Sequence, residues 1–449
     1  MKRQHWLRRL DAIWLFFLSV WAAAGMSITP FHGDESMHIY TSHDYATAFL
    51  QGRPDLLLVT PPYDIDSVPR LRLLNGSVMR YSIGLSWHLA GLSEEVLPPH
   101  PGWDWGRYYA DNVATGHRPS DALLMAARTP AVLYLIGSVW ILFGMGWTLG
   151  GRWTAYLASA IYILNPIILL NGRRALVESA LLCFGLLTVW IALEMARRRD
   201  QHARITLAWW VSLTVAAALT LASKYSGTIF VAGAYGGLLL AEAARMWSLS
   251  TFRSAAPRFI GWVLGLGVSG IAALALLAAL SPALWNDPPA RVRELAMVLQ
   301  EQVDIVVSIL PDAPTPLSQR IEGILTQPFI APTAYFEQAS WGEAQPVLDE
   351  IARYEASPLS GLHAGGFLGG LLTVLAGIGL ILTGLQLRQA SGKATAWVIL
   401  AWLLVTVANL LINPLPWQRY YLPLIPAAAL LAAAGAYRTA QAAYSRIRA

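Results

Sequence analysis

Apolar runs of helical length recur along this chain, at 12–28, 123–147, 153–170, 175–195, 205–222, 227–243, 259–280, 363–386, 395–412 and 421–437. Each carries enough apolar residues to take a helix across about 30 Å of hydrocarbon, so the pattern predicts about ten spans. The predicted fold class is an all-α polytopic membrane protein, with residues 1–449 forming one membrane domain. The first run follows Lys2, Arg3, Arg8 and Arg9. It exceeds the roughly 7–15 apolar residues of a signal peptide and is read as an uncleaved anchor.

Two long polar stretches interrupt the pattern. Residues 31–120 are rich in Pro, Gly, Trp and Tyr, too long for a simple connector and too aromatic for a disordered linker. They form an ordered loop. At its start Met37, Ile39, Tyr40, Tyr45 and Phe49 stand among polar residues, which predicts a short helix lying along the interface. Residues 281–362 form a second loop, where Val292, Leu295, Val298, Leu299, Val303 and Val306 keep helical spacing. That helix is expected to lie against the membrane or to cap the first loop.

Composition agrees: the chain is 55% hydrophobic and 13% charged, with a mean hydropathy of +0.46. A net charge of +5 would suit nucleic acid, but the basic residues sit between apolar runs rather than on one interleaved face, so no nucleic-acid partner is expected. They behave as topology signals. Arg152; Arg197, Arg198, Arg199 and Arg204; Arg245, Arg253 and Arg258; Arg388 and Lys393; and Arg438, Arg446 and Arg448 fall in alternate connections. This assigns those connections and both termini to the cytoplasm and the two long loops to the outside. The single cysteine, Cys183, excludes an intrachain disulfide.

Arg173, Arg174, Lys224 and Arg419 break that charge pattern, each at an expected outer boundary. Any one of them is explained by snorkelling to headgroups, with Trp417, Tyr420 and Tyr421 as an aromatic belt. Together they suggest an anion site suited to a lipid-linked phosphate. Glu178 opens the following span and is either functional or paired with Arg174 four residues earlier on one helix face. Asp34, in Gly33-Asp34-Glu35-Ser36, suits a helix N-cap, and also a partly desolvated general base beside the membrane. Glu35 would position Asp34, a cation or the acceptor. His32, His38 and His43 match no defined metal motif and are read as substrate-bonding or interface histidines; a divalent cation is admitted but not required. Asp104 and Asp111 are candidates by location alone.

The order of these motifs resembles the GT-C class of glycosyltransferases, closest to the protein O-mannosyltransferase and lipid A aminoarabinose transferase branch. It rests on Gly33-Asp34-Glu35 after the first span, Arg174 to Glu178 opening the fourth, Ser223-Lys224-Tyr225-Ser226-Gly227 after the fifth, and Arg419 to Pro426 opening the last. The resemblance implies a GT-C fold and a polyprenyl-phosphate sugar donor. It also implies a protein, glycan or lipid acceptor and inverting transfer at the extracytoplasmic side of a prokaryotic plasma membrane. Asp34 and Glu35 are the implied catalytic pair, with Asp34 as the base, and Glu178, Arg173, Arg174, Lys224, Arg419 and Tyr420 the substrate-binding set. Glu178 stands where relatives often carry Asp. A transporter or flippase of lipid-linked sugars is the alternative, but it would show half-repeats or spans broken at the midplane, and here the unusual charges cluster at one face.

Overall fold

Each predicted run falls on helix in the computed structural model, which describes residues 2–65, 67–248, 252–310, 313–388 and 394–448. Among these residues the regular elements are all helical. The long helices are α1 (Lys2–Ala24), α4 (Asp121–Gly150), α7 (Glu178–Asp200), α8 (Leu207–Ser223), α9 (Thr228–Ser248), α10 (Phe252–Leu280), α14 (Gly365–Gln386), α15 (Ala394–Ile412) and α16 (Leu424–Arg448). The run at 153–170 is divided into α5 (Arg152–Ile163) and α6 (Pro166–Arg173). In the loops lie α2 (Gly33–Thr41), α3 (Ser77–Leu89), α11 (Pro288–Ile309), α12 (Leu317–Thr326) and α13 (Gln345–Glu355). Lys393 lies outside the described residues.

The span count differs from the expectation. Among the described residues, six helices are long and apolar enough to cross a bilayer, or seven if α5 and α6 make one span. The α5–α6 axis bends by 66°. Pro166 lacks an N–H and forces the preceding residue out of the helical region. Asn165 adopts extended geometry there and caps the new helix, accepting from the Ile167 and Ile168 amides at 3.0 and 3.2 Å. The expected straight third span is therefore two helices, and α6 carries Arg173 into the protein instead of to its surface.

α7 is the central helix, with 78% of its most apolar window buried; the corresponding windows of α10 and α14 are only 22% and 17% buried and face outward. α14 and α16 approach through Gly379 and Gly435, where a Cβ on either would strike the partner helix's backbone. Small residues allow this contact in lipid, where apolar burial alone does not drive helices together.

The helices have two chemically distinct ends. At one, Arg152 pairs with Asp11 at 2.9 Å and Arg199 with Glu242 at 3.0 Å. About 32 Å away along α7, Glu178 pairs with Lys224 and both loops gather. α11 caps the first loop, one of its two expected placements: Arg70 bonds Glu301 at 2.6 Å and Arg291 bonds the Val59 carbonyl at 3.2 Å. Trp341 of the second loop enters an aromatic cluster of the first, 5.3 Å from Trp103 and 5.4 Å from Trp105 between ring centroids.

Candidate active site

After α1 the chain turns through Pro30 and starts α2 at Gly33. His32 is the N-cap, in extended geometry, with its Nδ1 accepting the Asp34 amide at 3.1 Å. The Glu35 carboxylate accepts the His32 amide in return at 3.0 Å. This is a capping box with histidine in the hydroxyl residue's place. The cap role considered for Asp34 therefore belongs to His32, and the Asp34 carboxylate is left to face other elements.

It faces Arg419, whose guanidinium donates to Asp34 Oδ2 at 2.6 Å. Arg419 Nε also stands 3.2 Å from Glu337 Oε1, an ion-pair separation. Glu337 Oε2 lies 2.9 Å from His32 Nε2, and Trp417 lies beneath the Arg419 guanidinium, 4.7 Å from ring centroid to carbon. Three segments far apart in sequence thus share one charge cluster. Beside it Lys224 Nζ donates to Glu178 Oε1 at 2.9 Å and stands 5.9 Å from the Tyr420 ring centroid. Asp34 retains 15% side-chain exposure, Arg419 and Glu337 17% each, and Lys224 26%.

Electrostatics keeps the Asp34 and Glu337 carboxylates ionised. Burial pushes the Asp34 carboxyl up, but the Arg419 guanidinium and His32 outweigh it and hold it below the ordinary carboxylate value. Glu337 behaves likewise: desolvation raises it, and Arg419 and His32 bring it well below the usual range. His38, one turn along α2, is pushed down to about 4, chiefly by burial, against the pull of Asp34 and Glu178. Its imidazole is neutral at physiological pH.

The other expected site residues are closed. Glu35 has no exposed surface. Arg128 donates to its two oxygens at 2.7 and 2.8 Å, the Ala175 amide donates at 2.8 Å and the His32 amide takes the remaining position. Expected as a catalytic group, it has no lone pair open to a substrate. Arg173, also unexposed, donates to the carbonyls of Trp21, Ala22 and Leu359 and so terminates α1. Arg174, 3% exposed, donates to the Pro30 and Tyr335 carbonyls. Both were expected in the anion site, and the bend at Pro166 turns them inward. Nor do Arg174 and Glu178 pair on one helix face: α6 stops at Arg173, α7 begins at Glu178, and Glu178 takes Lys224 instead.

Several residues escaped sequence reasoning. Arg128 had a usable signal, an ionisable group inside an apolar run, which marks a paired or functional site. Asp44, fully buried, is held by Arg72 and Arg80, each at 2.7 Å; nothing in its spacing announced the pairing. Glu337 lies in an irregular stretch, and only the packing of the second loop against α2 makes it part of the cluster. Asp104 accepts from the Gly106 amide and pairs with Arg107. His43 bonds the Tyr40 carbonyl and stands 3.2 Å from Asp44. Among the described residues no three His, Cys, Asp or Glu side chains gather as a metal-ligand group.

Comparison with known proteins bears on this geometry. The family model for dolichyl-phosphate-mannose-protein mannosyltransferase matches residues 86–281. No curated protein matches the chain by sequence. Among solved structures, the Archaeoglobus fulgidus oligosaccharyltransferase in complex with zinc and sulfate aligns at 11% identity and a TM-score of 0.53, covering 97% of this chain and 50% of that one. The oligosaccharyltransferase AglB from A. fulgidus, in complex with an inhibitory peptide and a dolichol-phosphate, aligns at 11% identity and TM-score 0.50, covering 96% and 52%. ArnT from Cupriavidus metallidurans bound to undecaprenyl phosphate aligns at 12% identity and TM-score 0.48, covering 95% and 60%. The chain therefore spans 50–60% of the length of these structures.

Proposed function

We propose that this chain, which has the GT-C fold and carries a stretch matching the mannosyltransferase family model, is an inverting glycosyltransferase. It moves a sugar from a polyprenyl-phosphate donor to an acceptor hydroxyl on the extracytoplasmic side of the membrane. The observation that carries this reading is the partly open Asp34 carboxylate, ion-paired to Arg419 beside the Lys224–Glu178 pair at the mouth of an apolar bundle. A lipid-dissolved donor presents its phosphate at that depth. A structure with this fold holds dolichol-phosphate, which supports the same donor class here.

In the proposed step Asp34 accepts the acceptor's hydroxyl proton while that oxygen attacks the anomeric carbon. The bond from that carbon to the phosphate oxygen breaks, its electron pair leaves on polyprenyl phosphate, and a single displacement inverts the centre. Phosphate needs no proton to depart, only charge stabilisation, which Arg419 and Lys224 supply. Arg419 paired with Asp34 makes that carboxylate a weak base. An arriving phosphate competes for the guanidinium and releases Asp34, while Glu337 keeps Arg419 in place. Glu35, Arg128, Arg173 and Arg174 are assigned to positioning. Tyr420 lines the cation side, and the two loops exclude water, the competing nucleophile.

The test uses purified protein in lipid with labelled polyprenyl-phosphate sugars, starting with mannose because of the family match, and follows release of polyprenyl phosphate. Asp34→Asn should lower release by about 10²–10⁴-fold with donor binding retained. Wild-type release unchanged in Asp34→Asn would sink the base assignment. Donor binding with no release from any donor, even with hydroxyl acceptors of each class present, would sink the enzyme reading.

A further inference from the structure

At the end of the bundle opposite Asp34, a cavity of about 780 Å³ opens between two groups of helices. α14 and α16, locked together at Gly379 and Gly435, form one side; the ends of α7, α9 and α15 form the other. Within the bundle its lining is apolar, with Leu382, Ile399, Leu430 and Leu431. Towards the helix ends five arginines from four helices line it: Arg197 and Arg199 of α7, Arg245 of α9, Arg258 of α10 and Arg438 of α16.

Topology signalling alone does not require this convergence, because basic residues satisfy it anywhere in the connections. Other arginines at this end do lie elsewhere: Arg152 pairs with Asp11, and Arg198 turns to the face of Trp209, 4.6 Å from its ring centroid. Arg197 and Arg199, on either side of Arg198, line the cavity instead. Carboxylates hold part of the set in position, Glu194 for Arg197, Glu242 for Arg199 and Arg245, and Asp200 for Arg245. Five guanidiniums thus meet three carboxylates. Arg258 and Arg438 have no carboxylate partner among the described residues, and both are exposed.

We propose that this cavity binds an anionic phospholipid by its phosphate. The guanidiniums stand at headgroup level and take the phosphate oxygens, while an acyl chain enters between the apolar side chains of α14, α15 and α16. Basic pockets between spans on one membrane face are suited to such headgroups. A soluble anion would use the arginines but leave the apolar interior unfilled. The site is separate from the Asp34 cluster and does not depend on the reaction proposed there.

The test is native mass spectrometry of the full-length protein in detergent, titrated with phosphatidylglycerol or phosphatidylcholine. Wild type should bind phosphatidylglycerol more tightly, and Arg258→Gln/Arg438→Gln should weaken that lipid about tenfold, with phosphatidylcholine unchanged and Arg8→Gln/Arg9→Gln, at the same end but outside the cavity, within about twofold of wild type. Neither cavity arginine holds the fold together, so the double variant should stay folded. Equal affinity for the two lipids, or equal losses in both double variants, would overturn the site. Displacement of phosphatidylglycerol by millimolar inorganic phosphate would overturn the lipid assignment in favour of a free-anion site.

Discussion

Asp34 and Glu35 are adjacent in sequence and each is salt-bridged to an arginine from a distant segment, yet their surroundings differ. Glu35 is sealed: Arg128 and two backbone amides take every oxygen position, and no surface remains. Asp34 is shared: its arginine also faces Glu337, and all three side chains keep some exposure. A fully satisfied ion pair in low dielectric locks elements together, here α2, α4, the segment that follows α1 and the connection between α6 and α7. A shared, partly open one can exchange partners when a phosphate arrives. Neighbouring carboxylates one helical step apart point about 100° apart, so one turns to the core and the other to the mouth.

The largest expected effect breaks the sealed pair. Arg128→Met should destabilise the protein by about 3–5 kcal/mol by leaving Glu35 buried and uncompensated. Thermal unfolding in detergent would read this, and Glu35→Gln added to Arg128→Met should recover part of the loss. Unchanged stability in Arg128→Met would show that Glu35 does not depend on its partner. Next, Arg419→Gln in the open network should lower turnover by about 10²–10³-fold with little change in melting temperature. A melting shift as large as that of Arg128→Met would erase the distinction between the two networks.

Glu337→Gln should raise the donor KM about tenfold with a smaller change in kcat, because the ion pair that holds Arg419 in place is lost while Arg419 itself remains. A loss confined to kcat would move Glu337 into the chemical step. The smallest effect concerns His38. Its folded pKa is pushed down from 6.5 to about 4, so between those values the unfolded chain binds the extra proton. Its contribution to stability is therefore complete above about pH 6.5 and is lost as the pH falls towards about 4. His38→Gln should flatten the melting temperature in that window, and an unchanged slope would assign the acid sensitivity to other groups.

Helix positions were legible because continuous apolar length favours helix in lipid and each run falls on helix, although among the described residues only six helices, or seven with α5 and α6 as one span, are long and apolar enough to cross a bilayer. The bend at Asn165-Pro166 is written in the sequence too, since proline's missing N–H acts locally, but the apolar run continues through it and hides the break. Asp34, Lys224 and Arg419 stood out because each charge lies where the surrounding pattern is apolar or should lack cations. Arg173 and Arg174 gave the same signal for a different reason, since a buried helix end needs donors for its carbonyls as much as a ligand needs cations.

The chain pattern by itself determined a polytopic helical architecture, two ordered loops and a pair of carboxylates just after the first helix, because hydrophobic length and charge placement act locally. Tertiary structure alone decided which charges remain open. Whether a guanidinium meets a carbonyl, a sealed carboxylate or a shared one depends on residues hundreds of positions away, as Asp34 and Arg419 are, 385 residues apart. It also brought Glu337 to His32 and gathered five arginines around one cavity, pairings that no local spacing encodes.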